Sequence, residues 1–152
     1  QDWAFALISS PVTLKEMADA VTLAWKERLA SCPSESVQES LGVYAGNFDW
    51  FAAAPMAIAV SCKTPEGFLA DLAGPEALAV AGSFASAAMA AQNLMLAAHS
   101  LGLGTCCLTG PLLAPSDLKR LLGLGSRRQL VCLIALGYPA EQPPAPARRP
   151  AK

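Results

Sequence analysis

The sequence predicts one domain of the α/β type, in which strands and helices alternate along the chain. Short apolar runs recur as strands, and stretches with helical spacing fall between them. The length, 152 residues, fits a single ordinary domain with a substantial core. Composition narrows the class further. Charged residues make up 15% and hydrophobic residues 53%, which excludes a disordered, solvated chain. A formal charge of −1 leaves no basic footprint for nucleic acid. Eleven glycines and twelve prolines without any period exclude collagen-like and low-complexity readings.

The first strand is Trp3–Ile8, broken by Ser9-Ser10-Pro11. Thr13-Leu-Lys-Glu16 then reads as a capping box. Leu14, Met17, Ala18, Val21, Ala24, Trp25 and Leu29 recur at helical spacing, which predicts a helix from Leu14 to about Ala30. Ser31–Ser40 is polar and holds Pro33, a loop or short helix, and Asn47–Ala54 reads as a helical turn. Pro55–Cys62 is a second, well-buried strand, and residues 64–75 are a weak helix. Thr105–Thr109 is a short strand, followed by the Gly110-Pro111 turn. Pro115–Leu122 is a short helix with Ser116 as a plausible N-cap and Gly123 as its stop. Gln129–Leu136, apolar throughout, is the strongest strand and is expected at the centre of its sheet.

From Ala77 to Ser116 no Asp, Glu, Lys or Arg occurs, and within this stretch Ser83–Leu101 reads as one long helix stopped by Gly102. A membrane span needs about 20 predominantly apolar residues. Here Ser83, Ser86, Gln92, Asn93, His99 and Ser100 are scattered around the helix, and alanine contributes little transfer energy. The better reading is a central helix buried on all sides, part of that burial coming from a partner subunit. Two small-residue stripes, Gly82/Ser86/Ala90 and Ser83/Ala87/Ala91, would let another backbone come close.

The five cysteines are odd in number, form no CxxC and share the chain with one histidine, His99, so no zinc site is indicated. Cys62 and Cys132 fall in apolar strands as small hydrophobes, and vicinal Cys106 and Cys107 read as buried free thiols. A reducing cytoplasm is the expected setting. Gly102-Leu-Gly104 resembles the start of a dinucleotide-binding loop, but it follows a helix and lacks the third glycine, so it reads as a helix stop. No carboxylate pair or nucleophile constellation is visible. The chain opens on Gln1 almost inside a strand, which suggests a processed or incomplete chain. Residues 1–142 are expected as the domain and 143–152 as a Pro-rich tail.

Four pieces, in register, resemble the nitroreductase family of flavoenzymes. Ser86–Cys106 is similar to its central helix and following strand, and Gln1-Asp-Trp3-Ala-Phe5 to its Gln-Pro-Trp start of the first strand. Ala54–Val60 resembles its second strand. Leu118–Leu124, Leu130–Pro139 and Arg148-Arg149-Pro150 resemble its ending. The resemblance implies an α+β fold: an α/β/α sandwich with a mostly antiparallel central sheet and a long buried helix at a homodimer interface. It implies one FMN in each of two interface sites, NAD(P)H as hydride donor, and a small-molecule acceptor such as a nitroaromatic or quinone. No membrane or nucleic-acid partner is expected. The loop that follows Leu108 meets flavin N5 in the family, often as Glu-Gly, and here it reads Thr109-Gly110. Arg148 and Arg149 match basic residues near the FMN phosphate, and Gln1 sits where a polar side chain faces the isoalloxazine edge. Asp2 replaces the family's proline, and the family's N-terminal Arg-Ser-x-x-Arg-type phosphate site would lie before Gln1. A flavin-binding or cofactor-free relative without reductase turnover is the alternative.

Overall fold

Four strands form one antiparallel sheet in the computed structural model, which describes residues 2–45, 47–64, 78–142, 144 and 147. They are β1 (Trp3–Ile8), β2 (Met56–Lys63), β3 (Gly104–Leu108) and β4 (Arg128–Gly137), in the order β1-β2-β4-β3. The helices are α1 (Pro11–Ala30), α2 (Glu35–Ala45), α3 (Leu78–Ser100) and α4 (Pro115–Leu121). Short 3-10 turns cover Trp50–Ala53 and Gly110–Leu113. The apolar run of β4 has the central place its composition demands, and Leu130–Ala135 is buried throughout.

Side chains alternate across the sheet, so each strand feeds two cores. Ala57 and Ala59 of β2, with Leu133 and Ala135 of β4, meet Leu14, Met17 and Val21 of α1 and Leu118 of α4. Ile58, Val60 and Cys62, with Cys132 and Ile134, meet Ala87 and Ala91 of α3. The result is an α/β/α sandwich of the α+β class, as the resemblance implies. The register slips between Val60 and Ser61, where Val60 pairs with Cys132 and Ser61 with Leu130. Val131 is thus the extra residue of a bulge, which bends and twists the strand that carries it.

Several local expectations need correction. The cap of α1 is Ser10, whose hydroxyl accepts from the Thr13 N–H at 3.3 Å, and Thr13 lies inside the helix. Pro11 explains the shift: its fixed φ suits the first helical position, so the helix starts two residues before Thr13. The same effect places Pro115 at the start of α4 with Ala114 before it, so Ser116 does not cap. Much of the polar Ser31–Ser40 stretch is helical, as the first part of α2. Gly102 and Gly123 end α3 and α4 with φ of +77° and +61°, a region that glycine enters without penalty. Cys106 and Cys107 are free but exposed, because β3 is an edge strand.

For α3 the expectation is burial on all sides with part of it from a partner subunit, and one chain alone supplies a stripe of it. Within one chain its buried stripe is Ser83, Ala87, Ala91 and Ala98, not its whole surface. Met89 and Leu96 are 63% and 57% exposed. Among the described residues, no helix is long and apolar enough to cross a membrane. The weak helix expected at 64–75 lies, beyond Thr64, outside the described residues.

Candidate functional site

The sheet brings the start of β1 and the exit of β3 to the same end. Trp3 pairs with Cys62, Cys62 with Gln129, and Leu108 with Leu133. Leu133 lies opposite Ala59 and Ala59 opposite Ala6, so Leu108 is level with Ala6, about 14 Å across the sheet, and Trp3 lies three residues further toward the start of β1. Leu108, the last residue of β3, is half-buried against the α1 core. Thr109 is exposed and Gly110 opens the 3-10 turn. The amide of a first helical residue has no carbonyl in its own helix to bond, and Pro111 carries no N–H at all. The Gly110 amide therefore has no acceptor within its own 3-10 turn.

What surrounds Gly110 could not be anticipated from spacing. A Cβ on Gly110 would fall 1.9 Å from Cδ1 and 2.5 Å from Cε1 of Phe48, so the ring fills the place of the missing side chain. Phe48 in turn meets Trp25 of α1 edge to face, with ring centroids 5.0 Å apart and planes at 66°. Phe48 is the residue that sequence reasoning missed. Its only signal was a cluster of aromatics, Phe48, Trp50 and Phe51, in a short polar loop.

The start of β1 is held from two sides. The Lys63 N–H donates to the Asp2 carbonyl at 3.0 Å. The Arg128 guanidinium donates to the same carbonyl at 3.4 Å and to the buried Ser61 hydroxyl at 3.3 Å. Burial pushes the Cys62 thiol up, against the smaller opposing pull of the Arg128 charge. Arg127 and Arg128 make this end of the sheet cationic, which suits an anionic ligand.

The other expected site residues, Gln1, Arg148 and Arg149, lie outside the described residues. Leu108 packs on the α1 face of the sheet and Trp3 on the α3 face, so the structure places Leu108, Thr109 and Gly110 in one loop and the Asp2–Trp3 start of β1 apart from it. Thr109 is exposed and Gly110 has no side chain, so this loop offers main chain to a ligand. His99 is exposed in the last turn of α3, away from this loop. No group of three or more His, Cys, Asp or Glu that could hold a metal occurs among the described residues.

A separate cavity of about 470 Å³ opens at the opposite end of the sheet, lined by Trp50, Pro55, Thr105, Cys106, Tyr138 and Glu141 among others. Among the described residues, Leu108, Thr109 and Gly110 do not line it.

Comparison with known proteins agrees with this architecture. A BluB-like flavoprotein from Clostridium difficile 630 superposes with a TM-score of 0.81 at 23% identity, over 98% of this chain and 76% of that one. An oxidized iodotyrosine deiodinase bound to FMN and 3-iodo-L-tyrosine gives 0.69 at 19% identity, over 99% and 74%. The NADPH:FMN oxidoreductase from Vibrio harveyi, complexed with NAD+, gives 0.64 at 18% identity, over 99% of this chain and 56% of its own. At these identities the likenesses show the fold. No curated protein matches the sequence. The nitroreductase family itself matches residues 1–138, nearly the whole chain, and the chain belongs to it.

Proposed function

We propose that this chain is an FMN-dependent oxidoreductase of the nitroreductase type. It would take a hydride from NADH or NADPH and pass the electrons to a nitroaromatic, a quinone or a similar acceptor in ping-pong order. The observation that carries this reading is the family match over residues 1–138, supported by the Gly110-Pro111 turn directly after β3. When bound, FMN supplies the two-electron chemistry, and the protein supplies binding, orientation and electrostatics. A reaction of this kind asks for no general acid or base among the side chains, which suits a loop that presents main chain.

The residues divide the work. The Gly110 N–H would donate to flavin N5, a contact that does not depend on the Glu that Thr109 replaces. Leu108 anchors the loop in the core, and Gln1 faces the isoalloxazine edge. Arg148 and Arg149 would hold the phosphate, for which fork-shaped donors are well suited. A second copy of the chain covers the outward face of α3 and completes the site, in a reducing, cytoplasmic setting.

The test is titration of the full-length apoprotein with FMN, followed by anaerobic addition of NADH or NADPH and then of an acceptor. The protein is expected to turn yellow, bleach with a reduced nicotinamide, and recover its colour with a quinone or nitroaromatic. A protein that binds no FMN, or whose bound FMN neither nucleotide bleaches, overturns the assignment.

A further inference from the structure

We propose that Phe48 is the positioning residue of the Gly110 amide. The proposal rests on the reading that this amide faces flavin N5. Glycine has the widest conformational freedom of any residue, so a glycine donor needs its surroundings to hold it. On one side the ring of buried Pro111 fixes the backbone that follows. On the other side, Phe48 occupies the volume a side chain at 110 would take, with Cδ1, Cε1 and Cγ at 1.9, 2.5 and 2.7 Å from an ideal Cβ. The ring is itself braced by Trp25, 5.0 Å away. Trp25 belongs to α1, whose Leu14, Met17, Ala18 and Val21 are buried. A continuous column of packed groups thus runs from the α1 layer through Trp25 and Phe48 to the main chain of Gly110.

This column makes glycine at 110 a packing requirement as well as a route of approach to a ligand. It also assigns Phe48 a role that its own chemistry would not suggest. A benzene ring has nothing to donate to a flavin, but it fixes the plane of the peptide that does donate. Displacing a catalytic group by about 1 Å costs up to about a hundredfold in rate.

The experiment uses FMN labelled with 15N at N5, bound to the full-length protein and to its Phe48→Ala and Phe48→Leu variants. The N5 resonance reads the hydrogen bond directly, stopped-flow reduction by NADH or NADPH reads the rate, and titration reads FMN affinity. The N5 resonance of Phe48→Ala should move toward that of free FMN, with a rate loss between about ten- and a hundredfold. FMN affinity should stay within about threefold, because the phosphate and ring faces keep their contacts. Phe48→Leu, which refills part of the volume, should lie between, and it decides the matter if Phe48→Ala does not fold. A lower Tm with an unchanged N5 resonance and rate would mean that Phe48 only supports the fold, and overturns the proposal. A wild-type protein that binds FMN but leaves N5 as in free flavin overturns the Gly110 reading and this role together, while the flavin reading stands. Failure of the wild type to bind FMN overturns all three.

Discussion

Cys132 lies buried in the middle of β4, beside the Cys107 thiol of the edge strand, whose register partner Ile134 is two residues further along β4. Burial, with Cys107 adding to it, pushes the Cys132 thiol up to about 12. In an unfolded chain a thiol ionises near 8.5. The folded state therefore keeps a proton that the unfolded state releases between about 8.5 and 12. The stability carried by this group is fully present below that window and is lost as pH rises through it. Wild-type Tm is expected to fall with pH above about 9. Cys132→Ala, which loses packing at every pH, should show a shallower decline, so that the two curves converge in alkaline buffer. Parallel curves in scanning calorimetry would mean that Cys132 does not titrate with folding. The neighbouring Gly110 shows what a residue's identity leaves out. The Gly110-Pro111 turn was legible from its place after a strand, and Thr109-Gly110 became a candidate loop through the family resemblance. The ring packed on its Cα was not, because a contact between distant loops has no period and no spacing.

Elements were more legible than their ends. Strands β1, β2 and β4 are apolar runs bounded by breakers, and each lies within a residue or two of its expected range. Gly102 and Gly123 marked two helix ends because a left-handed residue is needed there. Capping was misread because two hydroxyl residues compete at the start of α1, and Pro11 decides between them. Ser10→Ala should cost about 1 kcal/mol of stability, the usual worth of an N-cap. Thr13→Ala, inside the first turn, should cost clearly less. Urea unfolding of both variants checks the order, and equal losses would return the cap to Thr13. Residues 35–40 of α2 take up the helical one of the two readings that the polar Ser31–Ser40 stretch allowed, and Val37 among them is exposed. The slipped register near Val131 was invisible because nothing in an unbroken apolar run marks which residue will be left unpaired.

At the scale of the whole molecule, the charge-free stretch from Ala77 to Ser116 divides into two surfaces. Ala87 and Ala91 lie on the sheet, while Met89 and Leu96 stand 63% and 57% exposed with no charged residue in α3 to solvate them. Phe5 and Leu7 are also exposed, at 38% and 64%, and occupy the β1 register positions that share the α3 face of the sheet with Trp3. An apolar surface of this extent marks an interface. The expected occupant is a second copy of the chain. Met89→Arg and Leu96→Arg each place a cation where a partner would bury it, which costs several kcal/mol when the charge is unpaired. Both variants should sediment as monomers while the wild type sediments as a dimer, and both should keep the far-UV circular dichroism of an α+β fold. Ala91→Arg tests something different, because Ala91 is 3% exposed within its own chain, and it should abolish folding rather than dimerisation. A wild-type protein that sediments as a stable, folded monomer at micromolar concentration would leave the outward face of α3 without a partner and remove the second copy from the proposed flavin site.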